Sequence, residues 1–156
     1  MAEPDFYLSD EQRELQRALR ELVSKEIAPI AAKCDAEERY PVELFPRLGR
    51  LGYLGLRFPE ELGGAGGSNL DYAILCEELA YGSAGIALGI YVHVALACAA
   101  LEAFGSETLK KTWLPPALRG VALGGDRNDL LRSELSYRPL QLALLVAEVE
   151  VGFRHA

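Results

Sequence analysis

The sequence is poor in the residues that build metal and disulfide sites. Its 156 residues include three cysteines, two histidines and no C-x-x-C pair. Cys34, Cys76 and Cys98 are odd in number, widely spaced and set in helical patterns, which argues against a disulfide framework or a structural zinc site. They are expected to be buried free thiols in a reducing cytosol. His93 and His155 are too few for a typical catalytic metal centre.

Positive charge is also scarce. Sixteen Lys and Arg stand against 23 Asp and Glu, which gives a net charge of −7. No basic surface exists to release phosphate counterions, so neither a nucleic acid nor an anionic membrane surface is an expected partner. The first residues, MAEPDFYLSDEQ, are acidic and contain no apolar run. They do not have the pattern of a signal or transit peptide. We therefore expect a cytoplasmic protein, or a mitochondrial matrix protein if the source is a eukaryote.

One long stretch lacks charge altogether. The 22 residues from Ala80 to Leu101 contain no Asp, Glu, Lys or Arg, and about 20 apolar residues are enough to span a bilayer. However, the stretch holds three glycines, many alanines and His93, and its neighbours Glu77, Glu78 and Glu102 provide no basic anchor. The composition favours a helix buried on all sides of a soluble bundle over a membrane span.

Hydrophobic spacing over residues 1–120 predicts an all-α bundle of five to six helices. Ser9-Asp-Glu-Gln12 has the form of a capping box and opens an amphipathic helix over residues 10–33, which Pro29 should kink or divide. Residues 54–62 are expected to be extended, because Pro59 disfavours a helix there. The later helices are predicted to begin at Pro41, at Ser68 or Asn69, at Ile86 and at Glu107, and the last to end at Leu118.

Beyond Gly120 the composition changes, which defines a divergent tail over residues 121–156. The most apolar part of this tail runs from Leu140 to Val151. Its end, residues 147–151, alternates like a strand, whereas residues 142–149 could equally be helical. The sequence leaves both alternatives open.

Three features could carry chemistry, and each also has a purely structural interpretation. The glycine-rich residues 63–67 precede a helix as a phosphate loop would, but without the G-x-G-x-x-G spacing or a Walker lysine, so a plain turn is favoured. Glu77 and Glu78 point about 100° apart on a helix, which favours a solvated face or a salt bridge over an acid–base pair. His93 is either a neutral core histidine or lines a cavity beside small residues. No nucleophile set can be assembled, so no catalytic residue is predicted.

Six sequence runs stand in a characteristic order: LSDEQRE at 8–14, EIAPIAA at 26–32, YP at 40–41 leading to LGYLG at 51–55, PEELGGAGG at 59–67, EELAYG at 77–82 and FGSETLKKTWLP at 104–115 closing at Arg119-Gly120. Together they resemble the N-terminal helical domain of the acyl-CoA dehydrogenases. The resemblance covers about 115 of the 156 residues. Leu109 departs from it, because glutamine is usual at that position.

The resemblance implies a flavoprotein that removes an α-proton and a β-hydride from an acyl-CoA to give the trans-enoyl-CoA. Such enzymes hold FAD between a middle β-domain and a C-terminal helical bundle, pass electrons to electron-transfer flavoprotein and are usually tetramers. Their N-terminal domain forms one wall of the acyl pocket. Carried over by position, the substrate-binding residues are Ile90, Val92, His93 and Leu96, with Val94 and Ala95 alongside.

The sequence departs from the family after Gly120. There the family continues into a segment of the form (A/C)(F/Y)-x-L-(T/S)-E-P-x-x-G-S-D, which contacts flavin and substrate, whereas residues 121–130 read VALGGDRNDL. The catalytic carboxylate of the C-terminal bundle has no counterpart here. We therefore expect a truncated, frameshifted or excerpted dehydrogenase that neither turns over nor holds FAD tightly by itself. The alternatives are a helical acyl-binding module that pairs with another chain, and a non-functional remnant.

Overall fold

The computed structural model describes residues 8–122, and these form an all-α bundle with no strand among them, as predicted. Five helical rods are joined by short connections. Two of the rods contain a π-helical turn, at Val23–Ile27 and at Val92–Cys98. The α-helices are α1 (Asp10–Leu22), α2 (Ala28–Ala36), α3 (Leu44–Arg50), α4 (Asn69–Gly82), α5 (Ala84–Tyr91), α6 (Ala99–Phe104) and α7 (Glu107–Leu118).

Serine side chains set the helix starts. The predicted capping box at α1 is present: the Ser9 hydroxyl accepts from the Gln12 backbone N–H at 3.2 Å, and the Gln12 side chain accepts from the Ser9 N–H at 3.0 Å. Each such contact satisfies an N–H that the helix itself leaves without a partner. The same N-cap role is played at the starts of α4, α5 and α7 by Ser68, Ser83 and Ser106.

Pro29 divides the first rod, as its missing N–H predicts. The rod is α-helical up to Leu22, forms a π turn over Val23–Ile27 and resumes as α2, with Pro29 in the first turn of α2. A proline is tolerated in a first turn because its absent N–H would have had no helical partner there. The rod extends to Ala36, three residues further than expected.

The expectation of an extended segment over residues 54–62 is wrong. Two single 3₁₀ turns form instead, at Tyr53–Gly55 and Glu60–Leu62. Pro59 does not extend the chain through this segment but precedes the second turn, and its carbonyl accepts from the Leu62 N–H at 3.1 Å. A proline at the start of a turn is compatible with a short helix after it, so Pro59 marks a boundary.

Glycines let the end of α7 pack backbone to backbone against α3. A Cβ placed on Gly49 would lie 2.2 Å from the Arg119 carbonyl oxygen, closer than any side chain allows. Gly120 adopts a φ of +70° beyond α7 and lies equally close to the carbonyl of Phe45. This close approach holds α7 over the core, which is formed by apolar side chains from all five rods.

The rod from Ala84 to Phe104 is less buried than its composition predicts. It is long and apolar enough to cross a membrane, but only 33% of its most apolar 18-residue window is buried. The prediction of a helix buried on all sides is therefore wrong: one face packs on the bundle and the other is open. The predicted tail lies outside the described residues from position 123 onward.

Candidate functional site

The open face of the rod Ala84–Phe104 carries a row of bulky apolar side chains, which we call the apolar stripe. Its members are exposed to between 39% and 61%: Leu88, Val92 and Leu96, which recur every four residues, and Tyr91 beside Val92. Isolated exposed apolar residues are ordinary on a protein surface, whereas a contiguous row of them marks a binding surface. No charged side chain interrupts the row, because residues 80–101 contain none.

A π-helical turn lies within the stripe. The turn spans Val92–Cys98 and contains both Val92 and Leu96. It inserts one residue into the helical repeat and so changes which side chains share a face. Such turns are frequent at functional sites. Within this π-helical segment, Val92 and Leu96 lie on the open face, whereas His93 and Val94 face the bundle.

His93 faces the bundle and is fully enclosed, with 2% of its surface exposed. Its Nε2 lies 3.0 Å from the Ala117 carbonyl oxygen, and since a carbonyl only accepts, Nε2 carries the proton and donates. The ring also packs edge-on against Phe45, with centroids 5.2 Å apart. Burial lowers the pKa of His93, and the hydrogen bond to Ala117 opposes this shift only in part. His93 is a neutral core histidine with a satisfied donor.

The structure therefore separates the predicted substrate-binding residues into two groups. Val92 and Leu96 lie together on the apolar stripe. Ile90 and His93 are buried on the opposite side of the same rod. Of the two residues predicted to lie alongside, Val94 is completely buried and Ala95 is half-buried.

Two residues of the stripe were missed by sequence reasoning. Leu88 and Tyr91 are exposed beside Val92. The signal was present in the sequence, because Leu88, Val92 and Leu96 recur every four residues, the spacing of side chains on one helical face. It was obscured because almost every residue in this stretch is apolar, so the pattern alone does not distinguish the buried face from the open one.

Tyr40 fixes the position of α5 from the buried side. Its hydroxyl donates to the Ile86 carbonyl at 2.7 Å, and burial raises the pKa of Tyr40 to about 12. The Tyr40 ring lies so close to Gly89 that a Cβ there would come within 2.4 Å of it. The contact places an aromatic ring directly beneath the first turn of the apolar stripe.

The glycine-rich residues 63–67 form a turn, as favoured from the sequence, and offer no anion site. All five backbone N–H groups donate to backbone carbonyls at 2.7 to 3.0 Å, on residues 55 to 60. A phosphate cradle requires N–H groups that point outward and are free to donate. The turn instead packs against the preceding 3₁₀ segment, and a Cβ on Gly64 would meet the Phe58 carbonyl at 2.1 Å.

The Glu77-Glu78 pair has a structural role, as its geometry predicted. Glu78 is 1% exposed and accepts two hydrogen bonds from the Arg20 guanidinium, at 3.0 and 2.6 Å, which join α1 to α4. Glu77 is exposed to solvent. This two-point contact satisfies both oxygens of the buried carboxylate and pairs its charge with Arg20.

The cysteines are free thiols, as predicted. Cys34 and Cys98 are buried and Cys76 is half-buried, so the expectation of burial holds for two of the three. Burial raises the pKa of Cys98 to about 12, which keeps it protonated and unreactive. Across residues 8–122 no group of three or more His, Cys, Asp and Glu side chains could hold a metal ion.

A family model described as "Acyl-CoA dehydrogenase, N-terminal domain" matches residues 9–121. A probable acyl-CoA dehydrogenase of Bacillus subtilis, YngJ, is 37% identical over 120 residues, which are 77% of this chain and 32% of the relative. The human mitochondrial short-chain specific acyl-CoA dehydrogenase is 36% identical over 117 residues, 75% of this chain and 28% of the relative. The chain thus spans about a third of the length of these curated relatives.

Solved structures give the same match. A glutaryl-CoA dehydrogenase from Mycobacterium smegmatis superposes with a TM-score of 0.71 at 37% identity, over 76% of this chain and 30% of that one. A glutaryl-CoA dehydrogenase of the same organism in complex with FADH2 gives a TM-score of 0.74 at 29% identity, over 78% and 31% of the two chains. The residues that match are nearly those that form the bundle.

Proposed function

Because this chain belongs to the acyl-CoA dehydrogenase family through the N-terminal helical domain, we propose that its apolar stripe forms one wall of an acyl-CoA pocket. The observation that carries the proposal is the open row of Leu88, Val92 and Leu96, which no charged side chain interrupts. Each buried methylene of an acyl chain contributes about 0.8 kcal/mol, so a continuous uncharged wall provides affinity without directional contacts. Ile90 and His93 act from behind this wall by fixing the rod that carries it.

The chemistry of the family requires groups that residues 8–122 do not provide. A base must take the α-proton, and the buried carboxylate of Glu78 is already engaged by Arg20. FAD supplies the hydride acceptor in this family, and its pyrophosphate needs free N–H donors or cations. The N–H groups of residues 63–67 are all used within the turn, and the stripe offers no cation and no backbone donor, only the Tyr91 hydroxyl. The described residues do not fit a flavin site by themselves.

We propose accordingly that flavin and base come from elsewhere, either in a further part of an intact dehydrogenase or in another chain that pairs with this one. The departure of residues 121–130 from the family pattern supports a truncation or frameshift as the origin of the tail. The downstream genomic DNA tests this origin: a sequence like the family's T-E-P-x-x-G-S-D is expected in another reading frame. Its absence from all frames contradicts the proposed origin.

Binding of butyryl-CoA to the purified chain, measured by titration calorimetry against free CoA, tests the acyl wall. We expect butyryl-CoA to bind more tightly than CoA. Val92→Asp should remove this difference, because an acyl chain packed on the stripe would strip water from the new carboxylate, which costs free energy. Val42→Asp is the matched control, since Val42 is exposed to 41% and Val92 to 39%. Equal binding of CoA and butyryl-CoA, or equal effects of the two substitutions, contradicts the proposal. A visible absorbance spectrum of the same sample is expected to show no bound flavin.

A further inference from the structure

The apolar stripe lies on a row of side chains whose order is the same in both directions along the rod. Val92 is the middle residue of this row. Leu88 and Leu96 stand four residues to either side of it, and Ala84 and Ala100 stand eight residues to either side. Four of the five are exposed, and Ala100 is half-buried. Reversing the direction of the rod therefore leaves the sequence of apolar side chains on its open face unchanged. We call these five residues the symmetric row.

An order of this kind suits two antiparallel copies of one helix. A twofold axis pairs a surface with the same surface of the second copy. With the axis at Val92, that side chain meets Val92 of the second copy, and Leu88 meets Leu96. The outer contacts join Ala84 to Ala100, and such small side chains let helices approach to about 8 Å between their axes. Each residue of the symmetric row thus faces another apolar residue.

Electrostatics also favours this face as the place where two copies meet. The chain has a net charge of −7, so two copies repel each other at most orientations. Residues 80–101 contain no charged side chain. Contact along the symmetric row therefore brings no like charges together and removes no charge from water. A foreign partner could also supply an apolar face, but a second copy supplies one with the matching order of side chains.

The second copy would cover bulky apolar side chains that are open to water. Leu88 is exposed to 61%, Leu96 to 54% and Val92 to 39%, and burial of apolar surface contributes about 25 cal/mol per Å². One rod from each copy forms the contact, so its area lies at the low end of the range for specific interfaces. We therefore expect a dimer that forms and dissociates at micromolar concentrations.

We propose that two copies of this chain associate antiparallel through the symmetric row, about a twofold axis at Val92. The association covers the apolar stripe of both copies at once. An acyl group and a second copy then compete for the same surface.

Sedimentation velocity of the full-length chain, without any ligand, tests the association. The mass should rise from that of one chain to that of two between about 1 and about 300 µM, the range in which a small interface assembles. Leu96→Asp should keep the mass at one chain, because its carboxylate would lose water against Leu88 of the second copy. Leu51→Asp is the matched control, since Leu51 is exposed to 41% outside the rod, and it should still form dimers. Helical circular dichroism verifies that the bundle is intact in both variants.

Cysteine cross-linking tests the direction of pairing. Every variant carries Cys76→Ser, which removes the half-buried native thiol, and the other two native cysteines are buried. Val92→Cys should oxidise to a disulfide-linked dimer, because facing Cα atoms of packed helices lie within the roughly 7 Å that a disulfide spans. Leu88→Cys alone should not, since antiparallel pairing separates its two copies by about 12 Å along the rod. A mixture of Leu88→Cys and Leu96→Cys should give the mixed dimer.

Three outcomes overturn the proposal. The first is a mass of one chain over the whole concentration range, whatever covers the stripe instead. The second is an equal effect of Leu96→Asp and Leu51→Asp, which means that the copies associate through another surface. The third is a Leu88→Cys dimer in the yield of the mixed dimer, which means that the rods are not antiparallel. No acyl-CoA enters these assays, so their failure is independent of the proposed acyl wall.

Discussion

The imidazole of His93 connects α7 to the rod that carries the apolar stripe, and its burial favours the neutral form. With 2% of its surface exposed, the ring is remote from water, and a charged imidazolium there would lose its hydration. The Ala117 carbonyl, to which Nε2 donates, is a neutral acceptor rather than a counter-charge. Protonation therefore acts against the folded state at this position.

His93 makes the stability of the chain depend on pH in a predictable direction. Since burial lowers the folded-state pKa below the ordinary value of 6.5, the unfolded chain binds the proton first as pH falls. The contribution of neutral His93 to the free energy of unfolding is complete above pH 6.5. It is lost as the pH falls from 6.5 to the lower folded-state pKa. We expect the stability advantage of the native chain over His93→Gln to shrink by about 1 kcal/mol per pH unit in that range.

Urea unfolding of both chains between pH 8 and pH 5 measures this difference. His155→Gln is the control, because it removes the other histidine and lies outside the described residues. The free energy of unfolding of His155→Gln should depend on pH as that of the native chain does. If the free energies of unfolding of the native chain and His93→Gln change with pH in parallel, His93 has the same pKa in the folded and unfolded states. That result would contradict the inferred neutral core histidine.

At the scale of elements, α5 owes its position to the fit between Gly89 and Tyr40. Alanine normally stabilises a helix relative to glycine by about 1 kcal/mol. Gly89→Ala should instead destabilise the chain by about 2 kcal/mol, because the added methyl would overlap the Tyr40 ring. Gly85→Ala in the same helix is the matched control, since its nearest atom lies at 3.9 Å. It should stabilise the chain.

Thermal or urea unfolding of the two variants distinguishes the packing effect from helix propensity. Tyr40→Ala removes the ring, so adding Gly89→Ala to it should no longer destabilise the chain. If Gly89→Ala and Gly85→Ala change stability equally, the ring does not constrain α5 and the assigned contact is wrong.

Helix starts that carry a serine cap were partly predictable from the sequence. The capping box at Ser9 and the caps at Ser68 and Ser106 follow from local hydrogen bonding between neighbours in sequence, so the sequence alone specifies them. Two other starts were misplaced: the helix predicted from Ile86 begins at Ala84 behind the Ser83 cap, and the one predicted from Pro41 begins at Leu44. The short turns over residues 53–62 were not predicted, because Pro59 is compatible with a bend or with the start of a turn. Which of these forms depends on packing against other parts of the chain.

The substrate-binding role of the rod around residues 90–96 stays a prediction, while the structure shows which of its side chains are exposed. The resemblance indicated the rod around residues 90–96, and the stripe lies there. Of the four predicted residues, Val92 and Leu96 are exposed, whereas Ile90 and His93 are buried. In a uniformly apolar segment the buried face is chosen by distant partners such as Tyr40 and Ala117, and the π turn shifts the helical phase further.

For the molecule as a whole, the core is continuous across the five rods. Buried side chains from α1, α3, α4, α5 and α7 belong to one cluster, represented by Leu19, Leu48, Leu75, Ile90 and Leu114. No described rod is separated from this cluster, so local loss of packing should propagate to all of them. A small domain with one core is expected to unfold in a single cooperative step.

The tryptophan at position 113 provides the test of this cooperativity, because it is the sole tryptophan and lies in α7. Its fluorescence and helical circular dichroism should give the same melting midpoint. Ile90→Val, in a different rod, should lower both midpoints together, since losing one buried methyl costs about 1 kcal/mol. Leu88→Val, the matched exposed change in the same rod, should move neither appreciably. If the fluorescence midpoint stays in place while the dichroism midpoint falls, α7 unfolds independently, and the chain is a loose set of helices rather than one domain.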